Sequence, residues 1–457
     1  MARASVGARQ TRALTGHGHA FVKRRNGPTI GSIEPPGGAP PTDRKDPSMK
    51  IHDLITTTDE LADLCGRLAK SEFVAVDTEF MRENTYYPLL CLVQIGNEEE
   101  AAAVDPLADG IDLQPLWDLL TDNDDVLKVF HAGGQDVEIV YNFTGKTPFP
   151  IFDTQIAMMA ISQNEQIGYA NLVESWLSKT IDKGARFTDW SRRPLTDRQI
   201  EYAIGDVTYL AKIFPRMLKK LIKTDRGMWL NAEMEKLADP ENYRNDPDSV
   251  WRKIRAPSRN ATVLGRLKAL AAWREREAQD KDIPRGRIVR DETLADLANH
   301  PPKSQKDLAK VRGLSKSWAD NDIGKRLMRT IEGAEPLPAG EMPDRKRTGA
   351  PLGKEGALVA DLLKLLLKIR SREIDVASRL LTRSDELEAL ASGSRNLPLL
   401  EGWRYEVFGK DALELVEGRM AFAVENGKLK MTRPAVDDAA ADDPAAEEAA
   451  ALEEAAE

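Results

Sequence analysis

Cysteine is almost missing from this chain, with two in 457 residues. Cys65 and Cys91 stand alone in apolar stretches, without the spacing of a metal site or the numbers for a disulfide framework. Both are expected in the core, and the usage suits a reducing cytoplasm. Long apolar runs are missing too. The best stretch, 357–369, is interrupted by Asp361, Lys364 and Lys368, so it reads as an amphipathic helix and not as the roughly 18–20 apolar residues of a membrane span. No membrane association is expected. Nor is there any excess of positive charge: 65 basic residues face 74 acidic ones, a net of −9. What is present is a soluble, globular balance, 41% hydrophobic and 30% charged. The length calls for more than one domain.

The charge is unevenly spread. Residues 434–457 hold nine acids and no bases, and residues 50–225 carry 17 basic against 29 acidic residues, a net of −12. Residues 259–333 reverse this, with 17 against 11 and a net of +6. The acidic half would repel a phosphate backbone unless cations are bound there, whereas the basic segment would attract one.

Composition divides the chain further. Residues 1–48 are rich in Gly, Pro and Arg and lack hydrophobic periodicity, which fits a disordered basic extension or a start placed upstream of Met49. Residues 49–225 have an α/β pattern. Thr56 to Glu60 offer caps for a helix through Leu61, Leu64 and Leu68, and Phe73 to Phe80 is apolar on both faces like a central strand. Further strands are expected at 90–95, 101–104 and 126–130, and helices at about 154–162, 169–178 and 197–223. A connecting helical segment, 226–258, leads to helices alone over 259–334. A linker at 335–353 precedes a second helical set within 354–430, reaching to about Val424, and 434–457 is an acidic low-complexity tail.

Four carboxylates and a phenol stand out by position. Asp77 and Glu79 are two apart on a strand and share a face. Two ionised groups there are costly unless compensated, and a divalent cation is the usual partner of hard oxygen ligands. Asp136 follows a strand end and the Gly133-Gly134 turn, where α/β sheets tend to bind ligands. Tyr202 and Asp206 are four apart on one helix face.

In this order these residues resemble the DEDDy 3′→5′ exonuclease superfamily. Val76-Asp77-Thr78-Glu79-Phe80, Phe130-His131-Ala132-Gly133-Gly134-Gln135-Asp136 and Tyr202-Ala203-Ile204-Gly205-Asp206 are similar to its three motifs. Cys91 to Ile95, Phe152-Asp153-Thr154, and Asp189-Trp190 through Leu195 resemble the ribonuclease D family in particular. Ile283-Pro284, Thr293-Leu294 and the Gly313 turn resemble its helical HRDC module, with 354–430 as a divergent second copy. The resemblance implies a ribonuclease-H-like α/β exonuclease domain, a mixed sheet flanked by helices, followed by all-α HRDC-like domains.

It also implies catalytic residues Asp77, Glu79, Asp136, Tyr202 and Asp206, with the four carboxylates holding two divalent metal ions, Mg²⁺ or Mn²⁺. In that pattern Asp77 bridges the ions, Glu79 and Asp206 complete one, and Asp136 supports the other through water. Tyr202 orients the attacking water. The implied substrate is RNA with a free 3′ end, transfer-RNA precursors foremost, cut to 5′-mononucleotides; no protein partner is expected. A DNA-directed exonuclease of the same superfamily and a non-catalytic RNA-binding scaffold are the alternatives.

Expected RNA contacts are Phe80, Gln94, His131, Lys183, Arg193, Lys306, Lys310 and Arg312. A buried, hydrogen-bonded histidine is an equal reading for His131, and a solvated charged loop for Lys183 and Arg193. Asp153 reads as a helix cap in preference to a fifth ligand, and Trp273 as core.

Overall fold

The structure, a computed structural model, describes residues 49–182, 184–342 and 353–433. The extension 1–48, the tail 434–457, most of the expected linker and Lys183 lie outside the described residues. Two compact units are present, one on either side of that linker.

The first unit opens with a six-stranded sheet: β1 (Lys50–Ile51), β2 (Phe73–Met81), β3 (Leu89–Gly96), β4 (Glu100–Val104), β5 (Leu127–Phe130) and β6 (Ile151–Asp153). Their spatial order is β1-β4-β3-β2-β5-β6. The β4-β3-β2 pairs are antiparallel and the rest parallel, which gives the expected mixed sheet. β6 was not foreseen, being too short to show a period.

Helices cover both faces. They are α1 (Thr58–Leu68), α2 (Gln114–Thr121), α3 (Gly134–Thr144), α4 (Thr154–Ile161), α5 (Tyr169–Leu177), α6 (Asp197–Lys223) and α7 (Asn231–Ala238). α1 starts where its sequence asks, with the Thr57 side chain accepting from Glu60 N. Its Leu61, Leu64 and Leu68 join Leu116, Leu120, Val137 and Val140 in a core against Val74, Val76, Val93 and Ile95 of the sheet. α6 begins at a capping box between Thr196 and Gln199 and lies across β2, β3 and β4 on the opposite face. Its Phe214 ring meets Phe73 and Phe152 at 4.7 and 5.0 Å.

Helices follow in the same unit: α8 (Ala261–Lys281), α9 (Asp291–Asn299) and α10 (Asp322–Glu332). Between α9 and α10, in a stretch expected to be helical, lies only a short 3₁₀ segment, Gln305–Lys310. Trp273 is core, 8% exposed and packed edge-on against Trp318 at 6.0 Å. The expected linker starts late, because Leu337 is buried and its amide donates to Ala261 O at 2.9 Å.

A polar junction ties these helices to the sheet. Asp282, the left-handed C-cap of α8, accepts from the amides of Tyr86 and Tyr87 at 3.0 Å each, in the loop after β2. Glu275, fully buried, accepts from the Tyr86 hydroxyl and pairs with Arg285 at 2.5 and 2.7 Å.

The second unit contains α11 (Lys354–Ile374), α12 (Ser384–Ala391) and α13 (Lys410–Val416). It departs from the all-helical expectation at its end: β7 (Ala421–Glu425) and β8 (Lys428–Thr432) form an antiparallel hairpin around Asn426-Gly427, both with positive φ. Such a two-residue turn matches strand twist and overrides a helical continuation.

Candidate metal centre and catalytic cleft

β2 carries Asp77 and Glu79 on one face, and its pairing with β3 slips just after Glu79. Such a bulge re-aims the following side chain, and Phe80 lines the same cleft as the two carboxylates. Asp206 enters from α6, with Tyr202 one turn earlier. Asp77, Glu79 and Asp206 each offer a carboxylate oxygen, all within 4.8 Å of one another.

Asp136 reaches the cleft from the first turn of α3. That helix approaches so closely that a β-carbon at Gly133 would lie 2.5 Å from Phe130 Cβ, so the motif requires glycine there. Asp153 braces the same turn: its carboxylate accepts from Ala132 N and Gly133 N at 3.2 and 2.8 Å while capping α4 through Gln155 N and Ile156 N. It is a structural cap, as the sequence suggests. The Asp136 carboxylate accepts from Thr78 Oγ1 at 2.5 Å and stays outside the tight group of three.

The carboxylates repel one another in a partly to fully buried setting. Asp77 is held well above the usual range by burial, Asp206, Asp136 and Glu79. Burial and the same two aspartates push Glu79 up to about 8, against the pull of Arg186. Burial takes Asp206 to about 7 and Asp136 to about 6. Charges so disfavoured by burial and by each other suit a divalent cation, and an all-oxygen donor set suits Mg²⁺ or Mn²⁺. The Tyr202 phenol is pushed further above its ordinary value by burial and by Asp206, so it stays neutral.

The cleft of about 470 Å³ also takes in His131, Tyr169, Arg186 and Phe187. His131 has both ring nitrogens within hydrogen-bond reach, Nδ1 of Thr154 Oγ1 at 2.9 Å and Nε2 of Ile167 O at 3.0 Å, and burial lowers its pKa. It is therefore a neutral, fixed wall of the cleft. Tyr169 donates to the backbone oxygens of Gly205 and Asp206 and so holds the α6 segment that carries the ligand.

Two expected RNA contacts are corrected. Gln94 is fully buried within the sheet and cannot reach a polynucleotide. Arg193 is committed to the protein: it makes a two-pronged pair with Asp105 at 2.5 and 2.6 Å and donates to Cys91 O and Trp190 O. Lys306, Lys310 and Arg312 are exposed, away from the cleft on the α9–α10 connection, with Lys310 paired to Asp307 at 2.8 Å. Lys183 lies outside the described residues. The sequence reading missed Arg186 and Phe187, which sit on a loop whose path no periodicity reveals. Phe187 is 90% exposed, and the Arg186 guanidinium lies 5.2 Å from its ring centre.

Comparison with known proteins accords with this geometry. Residues 53–222 match a family described as 3′-5′ exonuclease, and residues 263–331 match the HRDC domain. A ribonuclease D of Sphingobium indicum is 66% identical over 386 residues, covering 84% of this chain and all of that protein. The chain belongs to the ribonuclease D family of exoribonucleases. Zymomonas mobilis has a further member, 61% identical over 84% of this chain and 99% of its own length. The crystal structure of Escherichia coli RNase D, described as an exoribonuclease involved in structured RNA processing, superposes with a TM-score of 0.65 at 31% identity. It covers 80% of this chain and 99% of that one. Family and fold thus agree with the expectation of an exonuclease domain followed by an HRDC domain. Among the described residues no helix is long and apolar enough to cross a membrane.

Proposed function

We propose that this protein removes 5′-mononucleotides one at a time from the 3′ end of RNA, transfer-RNA precursors in particular, in the cytoplasm. The observation that carries the reading is the convergence of the Asp77, Glu79 and Asp206 oxygens within 4.8 Å beside the Tyr202 phenol. Asp77, Glu79 and Asp206 would hold one divalent ion, with Asp77 shared to a second that Asp136 supports from α3. A bound pair of divalent ions supplies charge neutralisation and acidifies water for an in-line displacement.

The chain's own residues do the rest. Tyr202, kept neutral by burial and by its anionic neighbours, orients the attacking water by hydrogen bonding instead of removing its proton. Asp153 and Gly133 fix the turn that presents Asp136. Water adds to phosphorus, the bond to the 3′ oxygen of the preceding nucleotide breaks, and a nucleoside 5′-monophosphate leaves.

The basic helical region offers the grip that the acidic cleft lacks, with Lys306, Lys310 and Arg312 exposed for phosphate contacts. We read the second unit as a divergent copy of that module. α8 and α11 are each 21 residues long and end on an aspartate with positive φ, Asp282 and Asp375. Each is followed by a four-residue helix, Arg285–Ile288 or Ser378–Leu381, and then by α9 or α12.

The deciding experiment incubates the full chain with single-stranded RNA and DNA of equal length, with Mg²⁺ or Mn²⁺ and with EDTA. Release of 5′-mononucleotides from RNA, stopped by EDTA, is expected. Preference for DNA would move the activity to the other exonucleases of the superfamily, and RNA binding without release would make the protein a scaffold.

A further inference from the structure

Gln94 sits fully buried in the sheet, and neither its Oε1 nor its Nε2 has a hydrogen-bond partner. An unmet buried amide is costly, and an apolar side chain of the same length would pack there without that cost. The strand register says what lies beside it. Gln94 is paired with Asp77 across β2 and β3, and with Ala103 across β3 and β4. Residues opposite one another on antiparallel strands carry their side chains on the same face, with Cβ atoms about 5 Å apart. α6 covers this part of the sheet and brings Asp206 and Tyr202 to it.

The rest of that surface is apolar: Leu92, Ala103, Trp190, Ala203 and Ile204 pack together. In this cluster Trp190 is 2% exposed, and its Nε1–H also lacks an acceptor. Its ring lies against that of Tyr202, with 6.2 Å between centres. Three unmet polar atoms, two donors and one acceptor, therefore lie on the face that carries the proposed metal ligand. An ionised carboxylate is a strong acceptor, and a carboxylate on a metal is ordinarily oriented by a hydrogen bond from the surrounding protein. A neutral amide supplies that bond without adding charge to a crowded anionic site.

We propose that Gln94 is a positioning residue for Asp77: in the metal-loaded site its Nε2 donates to the Asp77 carboxylate, while its Oε1 accepts from Trp190 Nε1. A small side-chain adjustment then satisfies all three unmet atoms and links the ring beneath Tyr202 to the ligand strand. The inference rests on the metal-centre reading of Asp77.

The test uses the full chain without RNA and the variant Gln94→Met, which keeps length and removes both polar atoms. Mn²⁺ affinity is measured by titration calorimetry and melting temperature in EDTA. The metal-free melting temperature should be unchanged or higher, because a buried unmet amide has gone, while Mn²⁺ affinity falls about tenfold or more. Affinity within twofold of wild type overturns the proposal, whatever the melting temperature does. Should Gln94→Met not fold, Gln94→Leu is read by the same criteria; loss of folding in both makes the amide a packing requirement and overturns the proposal too. A wild-type chain that binds no Mn²⁺ would instead refute the metal-centre reading.

Discussion

Replacing Asp206 by asparagine should make the metal-free protein more stable, and by an amount that grows with pH. Burial, with Asp136 adding to it against the pull of Arg186, lifts the Asp206 carboxyl from 3.8 to about 7. Between those values the folded chain binds a proton that the unfolded chain does not, so wild-type stability falls as pH rises toward the folded pKa. Each pH unit in that interval costs about 1.4 kcal/mol. The whole interval comes to about 4 kcal/mol, and the part above pH 5 to about 3 kcal/mol. Asparagine keeps the shape and carries no such penalty. In EDTA the advantage of Asp206→Asn over wild type should widen by about 3 kcal/mol between pH 5 and pH 8, or roughly 6–10 °C in melting temperature. Calorimetric scans of both proteins at the two pH values measure this. An equal gap at both, or a variant less stable than wild type at pH 8, refutes the electrostatic account of the cluster.

Tyr202→Phe should lower kcat by about 10²–10³-fold with metal affinity unchanged, checked by single-turnover assays across a metal titration; normal kcat at saturating metal would put the phenol in another role. Arg285→Ala leaves Glu275 buried without its cation and should cost about 3–5 kcal/mol in urea unfolding, and a loss under 1 kcal/mol would mean that the junction after β2 contributes little. Reversing charge at Lys306, Lys310 and Arg312 together should make the slope of log affinity for single-stranded RNA against log salt shallower by about 0.7 for each phosphate that is no longer neutralised. An unchanged slope would remove these three from the RNA surface.

Side-chain fate shows where the sequence stopped being informative. The motif residues were legible because chemistry and spacing agree: a D-x-E pair on an otherwise apolar strand has few structural uses, and Asp153 before a helix has the position of a cap. Gln94 and Arg193 both carry polar side chains, yet one ends under α6 opposite Asp77 and the other clamped on Asp105. Nothing local distinguishes those fates, since both depend on partners far away in the chain. Arg186 and Phe187 went unnoticed for the converse reason, because only the path of their loop brings them to the carboxylates.

The sequence alone determined the elements and the chemistry of the site: the periods of α1, α6 and α8, the central strand β2, and an anionic set that calls for cations. These are local properties, set by side chains within a few residues of one another. The tertiary structure decided which carboxylates meet. It gathered Asp77, Glu79 and Asp206, left Asp136 held by Thr78, and set an unmet amide beside Asp77. It also docked α8 onto the loop after β2 through Glu275, Asp282 and Arg285. The decisive ones, Asp206 with Asp77, Thr78 with Asp136 and Asp282 with the Tyr86 amide, join residues tens to hundreds of positions apart, and strand register and helix docking, which no local pattern encodes, fix them.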